Sequence, residues 1–204
     1  GIRGAGKAFE LGGMTVGILG LGAIGRETAR ICAGIGMKLA GYDPFMTREA
    51  VELLGAYYYE DYEALLSDSD IVTIHVPLTE NTRGLIGEKQ LAMMKKEALL
   101  INCSRGGIID EAALAAALKN GVIAGAGTDV FVNEPPKPED PLLHCPNLIV
   151  SPHSAAQTKE AVIKMARMCI TGCLAVLDGK KWPYVADPEV YDHPVWEGKK
   201  WAET

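Results

Sequence analysis

A chain of 204 residues is long enough for one substantial hydrophobic core with appendages, and short of two full domains. Hydrophobic residues make up 48% and charged residues 23%, the profile of an ordinary globular protein and not of a disordered one. A net charge of −6 without any basic block argues against nucleic acid as a partner, and no apolar run is long enough to span a bilayer.

Residues 1–13 are glycine-rich without a sustained period and read as a connector from something upstream. A first strand begins near Thr15 and runs into Gly20-x-Gly22-x-x-Gly25 and then an amphipathic helix. In such a turn Gly20 allows the sharp bend, Gly22 lets the backbone approach a pyrophosphate, and Gly25 lets the helix pack close to the strand. The helix, about 23–35, sets Ile24, Ala29, Ile31 and Ile35 among Arg26, Glu27 and Arg30, and Gly34 and Gly36 stop it. A second strand, 37–42, ends at Asp43, eighteen residues beyond Gly25, where this kind of fold places an acid for the adenosine ribose. A lone Asp-Pro makes only a turn. With strand, glycines, helix and acid in register, Asp43 reads as a ribose ligand that favours NAD over NADP, whose 2′-phosphate it would repel.

Thr47 is a fitting N-cap for a helix through Leu54, and 56–59 a short third strand. A brief helix over 61–66 precedes a strand at 71–74, apolar enough to be buried on both faces. That strand empties into His75-Val76-Pro77-Leu78-Thr79-Glu80-Asn81-Thr82, forced out of the sheet by Pro77. A helix over 88–94, a strand over 98–102, the turn Cys103-Ser104-Arg105-Gly106-Gly107, an alanine-rich helix over 111–119 and a strand over 124–128 ending at Asp129 follow. The five prolines of 133–146 mark an irregular excursion before a short strand, 148–150, that delivers Ser151-Pro152-His153. A long helix covers about 156–177. The tail from Trp182 to Thr204 has prolines, tryptophans and no period. Alternating strands and helices predict an α/β fold: a doubly wound parallel sheet with right-handed crossovers, a Rossmann domain over 14–178 with 179–204 as a C-terminal tail.

The glycine-rich N-terminus has no hydrophobic signal core, so the chain is read as cytoplasmic. Its five cysteines (Cys32, Cys103, Cys145, Cys169, Cys173) are odd in number and lack C-x-x-C spacing, and its four histidines (His75, His144, His153, His193) lack ligand spacing, so no metal is expected. Cys169 and Cys173, four apart on one helix, are expected to be buried as small apolar packing.

Three polar groups stand at or just beyond predicted strand ends on one edge of the sheet: Arg105, Glu134 and His153. An arginine beside two glycines is either an exposed turn residue or a planar fork for a carboxylate. A histidine after a strand is either structural or an acid/base group, and a carboxylate such as Glu134 either idles in its loop or orients and charges that imidazole.

The chain resembles the D-isomer-specific 2-hydroxyacid dehydrogenases from about Leu11 to Gly179. The marks are the glycine turn, Tyr42-Asp43-Pro44, His75-Val76-Pro77-Leu78-Thr79-x-x-Thr82, Asn102-Cys103-Ser104-Arg105-Gly106-Gly107-x-x-Asp110-Glu111, Gly127-Thr128-Asp129-Val130-Phe131-x-x-Glu134-Pro135 and Ser151-Pro152-His153. The resemblance implies NAD as cofactor and a small 2-hydroxy or 2-keto acid as substrate. It implies that Arg105 grips the substrate carboxylate, that His153 exchanges a proton with the C2 oxygen, and that Glu134 holds and charges His153. Asp129 and the backbone near Cys103 and Arg105 would fix the nicotinamide, with Ala155 and Ala156 beside it. Ala23 and Ile24 would meet the pyrophosphate by their backbones and Val76 would line the adenosine side. Pro44, Pro77, Thr82, Ser104 and His153 itself complete the implied cofactor-binding set. The family resembled includes phosphoglycerate dehydrogenase and the glyoxylate and hydroxypyruvate reductases, of which phosphoglycerate dehydrogenase and hydroxypyruvate reductase are nearest by resemblance, and a homodimer is expected by analogy.

Members of this family carry a separate substrate domain built largely from residues before the nucleotide fold. Only residues 1–13 precede the first strand here, so that half is expected to be largely absent, turnover by this chain alone to be poor, and the tail to be loose or stabilised by another chain. Glu97 and Met14, where glycine and lysine are common, read as surface changes. The rival from a different class is an NAD-sensing corepressor, which resembles the same family. Formate dehydrogenase resembles the fold but carries glutamine where Glu134 stands.

Overall fold

The computed structural model describes residues 9–202; residues 1–8 of the expected connector and 203–204 of the tail lie outside the described residues. The chain divides into two compact units, one ending at Ser154 and one beginning at Ala155.

The first unit is built on seven parallel strands: β1 (Thr15–Leu19), β2 (Lys38–Tyr42), β3 (Ala56–Tyr58), β4 (Ile71–Ile74), β5 (Leu99–Asn102), β6 (Gly125–Thr128) and β7 (Leu148–Val150). They lie in the order β3-β2-β1-β4-β5-β6-β7. Five helices connect them: α1 (Ala23–Gly34), α2 (Arg48–Glu52), α3 (Tyr62–Asp68), α4 (Glu88–Met93) and α5 (Glu111–Asn120). Successive side chains of a strand point to opposite faces. Val16 and Ile18 accordingly join a cluster with Ala29 of α1 and Val51 of α2, while Leu19 joins another with Leu65, Leu91 and Leu114 of α3, α4 and α5. A sheet covered on both faces needs strands without a charged side, and β1 and β4 are accordingly apolar apart from Thr15 and the buried Thr73. The strand order reverses between β1 and β4, which opens a crevice at their carboxyl ends.

Local signals fix several ends. Thr47 Oγ1 accepts from Ala50 N, Asp61 caps α3 through Glu63 N, and Asp110 caps α5 through Ala112 N and Ala113 N. Gly121, at φ 64°, closes α5 in the left-handed conformation. Within the proline-rich excursion, Pro141–His144 forms one 3₁₀ turn capped by Asp140.

Several expectations need correction. Of the four apolar positions expected on the first helix, only Ala29 is buried; Ile24, Ile31 and Ile35 are 72%, 53% and 51% exposed, because the side of α1 that meets the sheet is formed by Gly25 and Ala29 with the half-buried Cys32. Met14 is half-buried against the Val16 cluster and is no surface change, whereas Glu97 is exposed.

The second unit contains α6 (Lys159–Leu177), which begins at Lys159 and not near Ala156 because Thr158 is its N-cap, accepting from Ala161 N at 3.1 Å. Gly172 is the residue α6 buries, with the Trp182 indole 3.0 Å from where a Cβ on Gly172 would stand. Cys169 and Cys173 are therefore exposed, against expectation, since the contact centres on the glycine between them. The tail has contacts of its own: Tyr191 Oη accepts from Trp182 N at 2.7 Å, and the Trp201 ring meets Tyr191 edge-on at 5.0 Å and Trp196 at a tilt at 5.2 Å between centroids. Aromatic contact replaces the missing helical period there.

Candidate active site

The turn after β1 is held by steric necessity. Gly20 has φ +91°, and a Cβ on it would stand 2.9 Å from the His75 carbonyl carbon; a Cβ on Gly25 would stand 2.0 Å from the Gly20 carbonyl oxygen. Gly22 differs. Its φ of −64° suits any residue, and a Cβ there would meet nothing within 4 Å, so what its missing side chain preserves is open space at the start of α1. No side chain caps that helix, and Ala23 and Ile24 form its exposed first turn. Asp43, at the end of β2, reaches across to the turn: Oδ2 accepts from Leu21 N at 2.8 Å and Oδ1 from Phe45 N at 2.9 Å. Gly20, Gly22, Asp43, Pro44, Val76, Pro77 and Thr82 all line one cavity of about 610 Å³. Thr82 Oγ1 folds its loop back by donating to Pro77 O at 2.6 Å and accepting from Thr79 N at 2.8 Å. His75, half-buried beside the turn, bonds Thr73 Oγ1 through Nε2 at 3.1 Å, and burial pushes its pKa down.

The second group stands beyond β5, β6 and β7, neighbours in the sheet. Asn102, 3% exposed, staples the turn that follows it: Oδ1 accepts from Ser104 N and Nδ2 donates to Arg105 O, each at 3.0 Å. Ser104 Oγ donates to Val76 O and joins this turn to the other loop. A Cβ on Gly106 would stand 2.0 Å from the Phe131 carbonyl oxygen, so only glycine lets the Arg105 turn lie against the segment after β6. In that segment Phe131 N donates to Glu134 Oε1 at 3.0 Å, and Glu134 Oε2 meets His153 Nδ1 at 2.7 Å. The hydrogen bond with His153, with help from the Phe131 amide, holds the Glu134 carboxyl below its usual range. Asp129, 2% exposed, accepts from Ser154 N at 2.9 Å and Ser151 Oγ at 2.5 Å. Partial desolvation of the thiol, and then the Asp129 charge, push the Cys103 pKa up, although the residue as a whole is exposed. Asp129, Glu134 and His153 line a cavity of about 310 Å³.

All the strand ends just described point the same way, because every pairing in the sheet is parallel. Arg105 and His153 thus stand on one edge. The structure does not bring the Arg105 side chain into the His153 cavity: it is exposed, and Nη1 donates to Ser104 O at 2.7 Å. Ala155 and Ala156 belong to the second unit. Sequence reading missed Asn102 as a staple, although Asn followed two residues later by a free amide is the signature of an Asx turn. It also missed Ser151 and Ser154, which carry no such signature.

Residues 3–155 match the family described as D-isomer specific 2-hydroxyacid dehydrogenase, NAD binding domain. The chain belongs to this family. It is 47% identical over 155 residues to D-3-phosphoglycerate dehydrogenase of Methanocaldococcus jannaschii, covering 76% of this chain and 29% of that one. It is 43% identical over 182 residues to glyoxylate reductase of Korarchaeum cryptofilum, covering 89% of this chain and 54% of that one. Among solved structures it superposes with TM-score 0.81 and 36% identity on a D-isomer specific 2-hydroxyacid dehydrogenase from Lactobacillus delbrueckii ssp. bulgaricus in its NAD-complexed form, covering 89% of this chain and 58% of that one. The chain thus spans between three-tenths and somewhat over half of these relatives.

The residues of this dehydrogenase-family domain fit NAD. The open space at Gly22 faces an uncapped helix start, which suits a pyrophosphate by charge and by room. Each Asp43 oxygen is oriented by one backbone amide and retains acceptor capacity for a ribose hydroxyl.

Proposed function

We propose that this chain is the NAD-binding part, residues 14–178, of a dehydrogenase that interconverts a D-2-hydroxy acid and its 2-keto acid, acting on small anions of the glycerate and glyoxylate class. The observation that supports it best is the 2.7 Å His153–Glu134 pair on the same sheet edge as the open glycine turn.

In this reading the pyrophosphate lies on the backbone of Gly20, Gly22, Ala23, Ile24 and Gly25, the adenosine ribose on Asp43, and the adenosine among Pro44, Val76, Pro77 and Thr82. Cys103, Ser104, Arg105 and Asp129 take the nicotinamide side. Bound NAD supplies a hydride acceptor at nicotinamide C4. Arg105 cannot lose its charge, and its fork holds the substrate carboxylate in two parallel hydrogen bonds. As C2 of the hydroxy acid gives up hydride, its hydroxyl gives up a proton to the imidazole of His153. Because Nδ1 is committed to Glu134, the exchange runs through Nε2, and the Glu134 carboxylate stabilises the imidazolium that forms. The reverse direction returns both. A homodimer formed through the nucleotide fold is part of this proposal, supported by the exposed isoleucines of α1, and the cytoplasm is the assigned compartment, supported by five free thiols.

Calorimetric titration with NAD and with NADP tests the cofactor: NAD is expected to bind more tightly, and equal affinities would remove Asp43 from its role. In the whole protein, Arg105→Ala is expected to weaken transition-state stabilisation by a few kcal/mol. His153→Ala is expected to spare NAD binding while abolishing most turnover; steady-state rates that survive it across about pH 6 to 9 would end the proton role.

A further inference from the structure

His153 has φ +51°, the one non-glycine residue with positive φ among those described. Such a backbone costs about 1–3 kcal/mol for a side-chain-bearing residue and persists only where the surroundings over-determine it. The surroundings here converge on one residue. His153 N donates to the Asp129 main-chain oxygen at 2.8 Å. On the C-terminal side of the histidine, Ser154 N donates to Asp129 Oδ1 at 2.9 Å; on the N-terminal side, Ser151 Oγ donates to the same oxygen at 2.5 Å. Asp129 is itself fixed, since it is 2% exposed at the end of β6 and its amide donates to Asn102 O at 3.0 Å. The other half of the acid/base pair is referred to the same strand end: Phe131, two residues on, orients Glu134 through its amide.

We infer that Ser151 is a positioning residue for the acid/base pair: its hydroxyl, through the Asp129 carboxylate, holds His153 in the left-handed backbone that sets Nδ1 against Glu134. This rests on the role proposed above for His153 and adds a residue to it. Each part follows from chemistry. A buried carboxylate needs charge-assisted donors, and here it draws them from both sides of one residue, so the turn 151–154 closes around Asp129. Pro152, with its restricted φ, transmits the position of Ser151 to the next residue. Loss of the Ser151 hydroxyl removes one donor from a buried anion and one of the anchors that keep His153 in its strained conformation.

The test uses this chain and needs neither cofactor nor turnover. The Glu134 carboxyl is titrated by carbon-13 NMR in wild type, Ser151→Ala and Ser151→Thr. In wild type it should titrate below the ordinary glutamate range because His153 bonds it. In Ser151→Ala the midpoint should rise by about half a pH unit, roughly a threefold change in proton affinity, as the ring swings away. Ser151→Thr keeps the hydroxyl and should keep the wild-type midpoint. If Ser151→Ala does not fold, Ser151→Cys, nearly the same shape with a poorer donor, is expected to show the same upward movement. A folded Ser151→Ala or Ser151→Cys with an unmoved Glu134 midpoint overturns the inference and leaves the proposed dehydrogenase reading standing. Failure of wild type to bind NAD counts against that reading alone.

Discussion

The two halves of the sheet's carboxyl edge are built on opposite principles. Around β1, β2 and β4 the candidate site consists of backbone and empty volume: Gly20 and Gly25 in mutual contact, Gly22 with nothing where its Cβ would be, and one carboxylate pinned by two amides. Around β5, β6 and β7 it consists of side chains that stand in one place only because loops from three strands lock into each other. The first half suits a ligand of fixed shape and fixed charge. The second suits a reaction, where groups must be aimed.

Paired glycine substitutions break the two halves separately and should have the largest effects. Gly25→Val and Gly106→Val each force a side chain into a backbone carbonyl 2.0 Å from the Cβ position, and each is expected to lower stability by about 1–3 kcal/mol in urea unfolding. Their ligand effects should diverge: Gly25→Val should lose ADP binding by calorimetry, and Gly106→Val should retain it. Equal loss of ADP in both would mean the halves are one unit. Next in size, Asp43→Ala should weaken NAD about tenfold, the worth of one charged hydrogen bond, and narrow the gap between NAD and NADP.

The side-chain half should respond to acid through Glu134. Glu134 has a folded-state value depressed by His153, so its contribution is present above the ordinary glutamate range and is lost as pH falls through the depressed value. Carbon-13 titration should show one step there, which His153→Ala moves upward. Smallest is the support beneath β1 and β4. Burial pushes Asp70 up, but the Lys95 ammonium at 2.7 Å and the Thr15 amide at 2.8 Å outweigh it and leave the carboxyl low. Its contribution is likewise lost on acidification. Lys95→Ala should cost about 0.2–1 kcal/mol at neutral pH, measured by urea unfolding, and progressively less below the ordinary aspartate value.

The glycine half was readable because its signals are local: a strand, three spaced glycines and an acid follow one another within Thr15–Asp43. Residue types at Arg105, Glu134 and His153 were readable as candidates, and resemblance supplied their roles. Hidden from sequence were the contacts that aim them. Nothing in the spelling of Ser151 or Gly106 announces Asp129 or Phe131, because those partners lie in the segment after a different strand, β6, and are met only after the sheet forms. The same limit explains α1, whose isoleucines read as one face of an amphipathic helix, and α6, whose cysteines read as packing. Periodicity marks which residues share a face, and neither example says what that face meets.

By itself, then, the sequence determined the succession of strands and helices, the glycine turn, the acid at Asp43 and the identity of the polar groups at strand ends. These depend on backbone preference and on side-chain alternation, which act over a few residues. Tertiary structure decided which of those groups touch, that His153 adopts a backbone few residues accept, and that Asp129 holds it from both sides. Such contacts join residues about twenty or more positions apart, and their distances come into being only when β5, β6 and β7 pair side by side.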